Sequence, residues 1–295
     1  MNSQLAQETG IVIVFYQPNN EDIHHAELMA SYYQVVIVDN SPHAVADMAA
    51  LNNIVYIHRG ENMGIATAQN IGISYIIEHL HQLNYLVFFD QDSRPAMDYP
   101  QGIVEEYMRI SKHIPRLSAL GPRIRNKQTQ EEYTPGVHHE KREDFGFVEK
   151  QFIISSGCCI HKQTFVEVGM NDDTLFIDFV DFEWCLRAHS KGYTCGITDS
   201  MEMDHFVGRK YLALGPFRDI ISAPQRYFYQ YRNYIWLARR NYIPTKWNML
   251  TGVKYMLRFA YLPFFFPQGF RCIAYSVKGI CAAFSAKHSA NRQQA

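Results

Sequence analysis

Four short apolar runs punctuate the first 90 residues: "GIVIVFY" (10–16), "VVIVD" (35–39), "NIVYIH" (53–58) and "YLVFFD" (85–90). Each is rich in β-branched or aromatic residues and almost free of polar ones, the pattern of strands covered on both faces of a parallel sheet. Between them lie the helical stretches "EDIHHAELMASYY", "PHAVADMAAL" and "GIATAQNIGISYIIEHLHQL", the last with apolar positions at helical spacing. This alternation predicts an open α/β sheet of Rossmann-like type, in which ligands gather at the carboxyl ends of the strands. Asp39 and Asp90 both fall at such ends.

The pattern lapses over residues 123–150, which are polar and charged and predict an irregular excursion or flap. Order resumes at "QFIISSGCCIH". "KQTFVEVG" predicts an amphipathic helix ended by Gly169, "FIDFVDFEWCLRAHSKG" a helix closed by Gly192, and "YTCGIT" a further strand. From about residue 211 aromatic and basic residues interleave in an amphipathic helical pattern. Arg258, Pro263, Pro267, Arg271 and Lys278 interrupt every long apolar stretch there, which disfavours a membrane-spanning helix. The chain therefore divides into a sheet-bearing region, 1–210, and a helical extension, 211–295.

With 295 residues and 47% hydrophobic content, the chain has enough apolar material for a sizeable core. Its six cysteines show no C-x-x-C pair and no zinc spacing, so they read as reduced core thiols of a cytosolic protein. The opening "MNSQLAQETG" has no signal-peptide core and predicts a chain that is not exported. A net charge of −1 hides an asymmetry: from His205 onward there are 14 Lys and Arg against one acid, Asp219, and the rest holds 14 against 28. A basic, aromatic-rich helical layer lying on anionic lipid headgroups fits this better than a spanning helix, with an ordinary helical layer packed on the sheet as the less favoured alternative. An acidic first half without a reader motif argues against nucleic acid.

Candidate chemistry clusters at the strand ends. Asp90 and Asp92 sit one residue apart in "LVFFDQDSRP"; paired carboxylates near a core edge repel, and a divalent cation shared with a diphosphate relieves the repulsion. An ordinary turn would use the same residues. Asp39 in "VIVDNS" is placed to bond a base or ribose hydroxyl, or to cap a turn. "ENMGIATAQNIG" opens a helix with free amide N–H groups and carboxamides, including Asn62, Gly64 and Asn70, a start suited to a phosphate though neither a Walker nor a dinucleotide loop. Asp178 and Asp181 lie three apart, and either can serve as a general base or stabilise a helix N-terminus. Glu183 is four before Arg187 and reads as a helix salt bridge. His205 in "DHFVG" is a candidate third metal or diphosphate ligand.

In order and spacing, "VIVDNS", "ENMGIATAQNIG", "FFDQDS", "SSGCCI", "FIDFVDFEWCLRAHSKGY" and "HFVG" resemble the family-2 inverting glycosyltransferases of GT-A fold. "FFDQDS" looks most like the bacterial rhamnosyltransferase branch that builds surface polysaccharides. The resemblance spans roughly residues 10–240. It implies a Rossmann-like nucleotide-binding sheet with an acceptor half, and donor contacts from Tyr16, Asp39, Asn62, Gly64, Asn70, Asp90 and Gln91. It implies further that Asp90 and Asp92, with His205, hold Mg2+ or Mn2+. Asp181 matches the family's catalytic aspartate, but Val180 stands where relatives usually carry an acid, which keeps Asp178 as a rival. The implied reaction moves L-rhamnose from dTDP-L-rhamnose to a lipid-linked glycan at the inner face of the bacterial cytoplasmic membrane. Self-association is left open.

The alternatives are another nucleotide-sugar donor, such as a UDP-hexose or UDP-galactofuranose, and a non-catalytic glycan- or nucleotide-sugar-binding protein. A dehalogenase-type phosphatase would also place D-x-D after a strand, but Ser93-Arg94-Pro95 fits it poorly. A nucleotidyltransferase would want a Gly-rich basic loop where this chain has "FYQPNNED".

Overall fold

The computed structural model describes residues 3–126, 141–205, 211–214, 217–220, 222–266 and 268–285. It resolves into two compact units, residues 1–176 with 180–207, and residues 177–179 with 208–295.

In the first unit the elements run α1 (Ser3–Gln7), β1 (Thr9–Phe15), α2 (Asn20–Ala30), β2 (Gln34–Asp39), β3 (Ile54–His58), α3 (Gly64–His79), β4 (Tyr85–Asp90) and α4 (Tyr99–Ser111). They continue with β5 (Leu117–Asn126), β6 (Lys141–Glu143), β7 (Phe147–Lys150), β8 (Cys159–His161), α5 (Lys162–Val168), α6 (Val180–Ser190) and β9 (Thr194–His205). The nine strands form one sheet in the order β3-β2-β1-β4-β8-β5-β9-β7-β6. β3, β2, β1 and β4 are mutually parallel, and β8 enters antiparallel between β4 and β5.

Alternate residues of the first strands feed two cores. Ile11, Ile13, Phe15, Val87 and Phe89 pack on one face with Met29 and Ile103 from α2 and α4. Val12, Val36, Leu86 and Phe88 pack on the other with Ile73, Ile76 and Trp184 from α3 and α6. Both faces are covered, so these strands read as continuous apolar runs. The register sets Phe15 beside Asp39, Asp39 beside His58, and Val14 beside Asp90, so the carboxyl ends of four strands finish level.

Three sequence expectations change. "PHAVADMAAL" forms only a 3-10 turn, Met48–Ala50, after Asp47 at φ 61°. Its conformation is set by tertiary bonds, among them the Val45 N–H to Tyr56 Oη at 2.7 Å. The stretch 123–150 is not wholly irregular: β5 runs on to Asn126, and β6 and β7 pair antiparallel across a turn at Gly146 (φ 77°). β6, "KRE", is a charged edge strand and carries no apolar alternation to reveal it; residues 127–140 lie outside the described residues. The helix expected over 176–192 begins only at Val180, because Phe176, Asp178 and Phe179 all adopt positive φ.

The second unit holds a hairpin of β10 (Tyr211–Leu214) and β11 (Phe217–Ile220), where a helical pattern was expected, then α7 (Pro224–Leu237), α8 (Thr245–Phe265) and α9 (Gly269–Ser285). Tyr227, Tyr231, Tyr255, Leu262 and Cys272 form its core. Gly279 lets α9 approach α7, since a Cβ there would lie 2.3 Å from the Phe228 carbonyl oxygen. All six cysteines are free; five are buried and Cys281 is exposed, a departure from the expectation of core thiols throughout.

Candidate active site

The level strand ends form the floor of a site. Asp39 is fully buried, and its carboxylate accepts from the Tyr56 hydroxyl at 2.5 Å and the Ser41 N–H at 2.8 Å. Ser41 in turn accepts the Gln17 N–H on its Oγ at 2.7 Å, and its carbonyl oxygen lies 2.9 Å from His58 Nε2. One carboxylate thus locks the exits of β1, β2 and β3 together. Burial, with the Asp39 carboxylate beside it, pushes the Tyr56 phenol above its ordinary range, which keeps it a proton donor.

Tyr16 is exposed at the exit of β1 and is held to Gln91. Around Gln91 the chain turns: the Ser93 N–H donates to Asp90 O at 3.0 Å. Arg94 Nη1 donates to Gln91 O at 2.8 Å and Ser93 O at 2.9 Å, while Nη2 pairs with the buried Asp22. Asp22 also belongs to the capping box at the start of α2. The turn is fastened on its far side by Ser156, whose Oγ accepts the Asp90 N–H at 3.3 Å and lies 2.9 Å from Ser93 Oγ. Asp90 is half-buried and Asp92 exposed on a turn built before any ligand arrives.

These hard oxygens suit Mg2+ or Mn2+. Among the described residues no group of three or more His, Cys, Asp or Glu closes into a metal site, so substrate oxygens would have to complete the shell. His205 ends β9, and its side chain lies outside the described residues.

The start of α3 is shaped by local bonds. Asn62 Oδ1 accepts the Gly64 N–H at 3.0 Å, and Gly64 O accepts from Asn40 Nδ2 at 3.1 Å. Gly64 has φ +82°, and a Cβ on it would meet the Phe176 carbonyl oxygen at 2.5 Å, so only glycine fits. Asn70, one of the expected donor ligands, brackets Asn171: Nδ2 donates to its carbonyl and Oδ1 accepts its N–H, both at 2.9 Å.

Asp181 sits in the first turn of α6, half-buried beside apolar walls. Burial pushes its carboxyl up to about 6; the backbone bonds of Phe182 and Ser155 oppose this, and the negative charge of Asp90 adds to it. A carboxyl poised there is a competent general base near neutral pH. Asp178 differs. In the second unit both of its oxygens are engaged by Arg226, at 2.5 Å and 3.2 Å. Glu183 forms the expected bridge to Arg187 at 2.8 Å, and Arg187 also grips the carbonyls of Val168 and Met170.

Tyr56, Arg94, Ser155, Ser156, Gln69 and Asn171 escaped sequence reasoning as individual residues. Ser155 and Ser156 lie in the noted "SSGCCI" motif. Gln69 reaches Ser155 Oγ at 3.5 Å and accepts from Asn171 Nδ2 at 3.0 Å, a chain of contacts no local spacing announces.

Comparison with known proteins fits this geometry. The model for glycosyl transferase family 2 matches residues 25–168. The chain is similar to the dTDP-rhamnosyl transferase RfbF of Shigella flexneri, 34% identical over 248 residues that cover 79% of this chain and 80% of that protein. Among solved structures it is similar to S. aureus TarS 1–349 in complex with UDP-GlcNAc, with a TM-score of 0.51 and 8% identity over 94% of this chain and 81% of that one. It is also similar to GalNAc-T7 with UDP, GalNAc and Mn2+, with a TM-score of 0.51 and 14% identity; 84% of this chain spans 54% of that one, about half its length. At such identities the solved structures speak for the fold alone, a mixed α/β architecture of GT-A-like kind, as the sequence led us to expect.

Proposed function

The chain belongs to glycosyl transferase family 2, and from that membership we propose that it transfers L-rhamnose from dTDP-L-rhamnose to a lipid-linked glycan, inverting C1, in assembly of a bacterial surface polysaccharide of O-antigen type. The observation that carries the mechanism is Asp181, a carboxyl raised to about 6 beside Asp90 at the end of β4. The donor sugar rests on the likeness to the rhamnosyl transferase.

In this reading Asp181 accepts the proton of the acceptor hydroxyl. The hydroxyl oxygen bonds to C1 as the bond from C1 to the phosphate oxygen breaks, and dTDP leaves with the electron pair. A single displacement inverts the centre. Tyr16 and the braced loop at Asp39 and Ser41 form the nucleoside floor; the first N–H groups of α3, which the sequence offered for a phosphate, are spent on Asn62 Oδ1 and the Phe176 carbonyl. Asp90 and Asp92 would hold Mg2+ or Mn2+, whose chemistry there is neutralisation of the charge that grows on the departing diphosphate. The occupied carboxylate of Asp178 favours Asp181 over it as the base.

We place the enzyme in the cytoplasm, peripheral on the inner face of the membrane, where lipid-linked acceptors are found. No helix among the described residues is long and apolar enough to cross a membrane. The basic, acid-free helices α7 to α9 support contact with anionic headgroups.

The test is a panel of nucleotide-sugars with Mg2+, with Mn2+ and with EDTA, read by thermal shift and by release of nucleoside diphosphate. Stabilisation and release with dTDP-rhamnose, lost in EDTA, is the expected result. Preference for a UDP-hexose would overturn the donor assignment, and metal-independent release would remove the role given to Asp90 and Asp92.

A further inference from the structure

A cavity of about 30 Å³ lies against Asp181 in the first unit. Its polar end is formed by Gln69, Ser155, Asn171 and Asp181, and its apolar walls include the buried Phe88, Cys158, Trp184 and Cys185. The walls present little polarity. The Trp184 N–H is spent on Gly169 O at 2.8 Å, and burial keeps the Cys158 thiol protonated. Cys158 is close enough to Asp181 to feel its charge. A volume of about 10–15 Å³ admits one water-sized group, so this cavity has room for a methyl and little more.

A hexose carries a hydroxymethyl on C5, whereas a 6-deoxyhexose carries a methyl. A hydroxyl turned to the apolar end, among Phe88, Trp184 and the two thiols, would lie away from the polar groups at the other end, while a methyl there gains apolar contact. We propose that this cavity is the subsite for the C5 methyl group of the transferred sugar, with Cys158 and Cys185 as its specificity-determining walls. The proposal rests on the rhamnosyl reading above and deepens it, by giving the enzyme a physical means of choosing a 6-deoxyhexose donor. The other use of such a space is to hold one water among Gln69, Ser155 and Asn171, in which case the C5 substituent of the donor would not be read.

The experiment compares three dTDP donors that differ only at C5: rhamnosyl with its methyl, the lyxosyl analogue with hydrogen, and the L-mannosyl analogue with hydroxymethyl. In the unaltered enzyme kcat/KM for dTDP release should favour the methyl donor over each of the others by about 10-fold or more, the usual worth of one methyl or one misplaced hydroxyl in an apolar pocket. Cys158→Met and Cys185→Met each fill the cavity. Either should cut rhamnosyl turnover about 10-fold while leaving the lyxosyl analogue within about 3-fold of the unaltered enzyme, with thermal stability maintained. Indifference of the unaltered enzyme to the C5 substituent overturns the proposal whatever the variants do. So does an equal loss for all three donors in folded variants. In both cases rhamnosyl transfer itself would still be measured, whereas an enzyme that processed none of the three would sink the rhamnosyl reading and this subsite with it.

Discussion

The side-chain amide of Gln91 is bonded at both ends to the backbone of Tyr16: the Tyr16 N–H donates to Oε1 at 2.7 Å, and Nε2 donates to the Tyr16 carbonyl at 3.3 Å. The middle residue of the D-x-D sequence is therefore a clasp between the exits of β4 and β1. The exit of β1 and the carboxylate turn are held as one piece, which in the proposed function lowers the ordering needed when a donor binds.

Gln91→Ala should loosen that clasp with little effect on folding. The bonds are exposed, so stability should fall by only about 1 kcal/mol. The donor KM should rise about 10-fold, with kcat changed less than 3-fold. Steady-state kinetics beside a melting curve measure both. A collapse of kcat at unchanged KM would instead make Gln91 a participant in the chemistry.

Asp181 must be ionised to take a proton, and burial holds its carboxyl near 6. Rate under kcat conditions should therefore fall as pH drops through about 6, by tenfold per unit below it. Asp181→Asn should lose on the order of 10²-fold or more in kcat while nucleoside diphosphate binding, read by calorimetry, stays within a few-fold. A pH profile flat from 5 to 8 would exclude this carboxyl as the base.

The same shift has a stability consequence of opposite sign to function. A carboxyl whose folded value, about 6, lies above its unfolded value of 3.8 keeps its proton longer in the native state. Stability then falls as pH rises from about 4 to 6, and above 6 the penalty is fully present, on the order of 3 kcal/mol. Asp181→Asn should accordingly raise the melting temperature at pH 7 and give no gain at pH 4. Denaturant melts at the two pH values decide it; a destabilised variant at pH 7 would show that the carboxylate is net favourable in the fold.

Local patterning made the left half of the sheet legible. β1 to β4 are each buried on both faces, and so Ile11 to Phe15 or Leu86 to Phe89 announce themselves without context. The carboxylates Asp39, Asp90 and Asp181 were legible because each ends or begins such an element. What stayed hidden depends on partners distant in the chain. Nothing around Asn70 in its Gly- and Asn-rich helix start announces its bond to Asn171, 101 residues on. Arg94 looks like an arbitrary surface residue until Asp22, 72 residues earlier, is seen beside it. The late start of α6 follows from positive φ at Phe176, Asp178 and Phe179, none of which is a glycine that would have betrayed the turn.

The pair of Arg94 with Asp22 deserves separate perturbation, because Asp22 is buried and Arg94 is about a third exposed. Arg94→Ala strands a buried carboxylate and should cost roughly 2 kcal/mol, less than a fully buried pair would. It should also raise the donor KM, since Arg94 fixes the carbonyls of Gln91 and Ser93. Asp22→Asn combined with Arg94→Gln removes both charges together and should recover part of the stability. If the double variant is as unstable as the sum of the singles, the two side chains do not act as a pair.

Of the sixteen large apolar side chains exposed among the described residues, ten lie on α8 and α9, with Met256 75%, Phe264 81% and Phe270 75% exposed. Neither helix, nor α7, contains an Asp or Glu, while Lys246, Lys254, Arg271 and Lys278 lie along the same two helices. Some basic residues of this unit are already spent internally: Arg258 is buried over Tyr255, and Arg232 lies over Trp236. Basic side chains along α8 and α9 would each contribute about 1 kcal/mol near an anionic surface at low salt, and inserted aromatics would add apolar burial. The protein should therefore float with vesicles containing phosphatidylglycerol at low ionic strength and float poorly with purely zwitterionic ones. A rise to about 0.5 M salt should weaken the association without abolishing it, because screening removes the charge contribution and leaves the apolar one. Met256→Glu with Phe264→Glu should reduce flotation at least 10-fold while donor cleavage in solution is unchanged. Self-association is the competing use of such a face, and sedimentation of the unaltered chain distinguishes it: a stable dimer that the same two substitutions convert to monomer, with no vesicle binding in either form, would assign α8 and α9 to a second copy instead of to lipid.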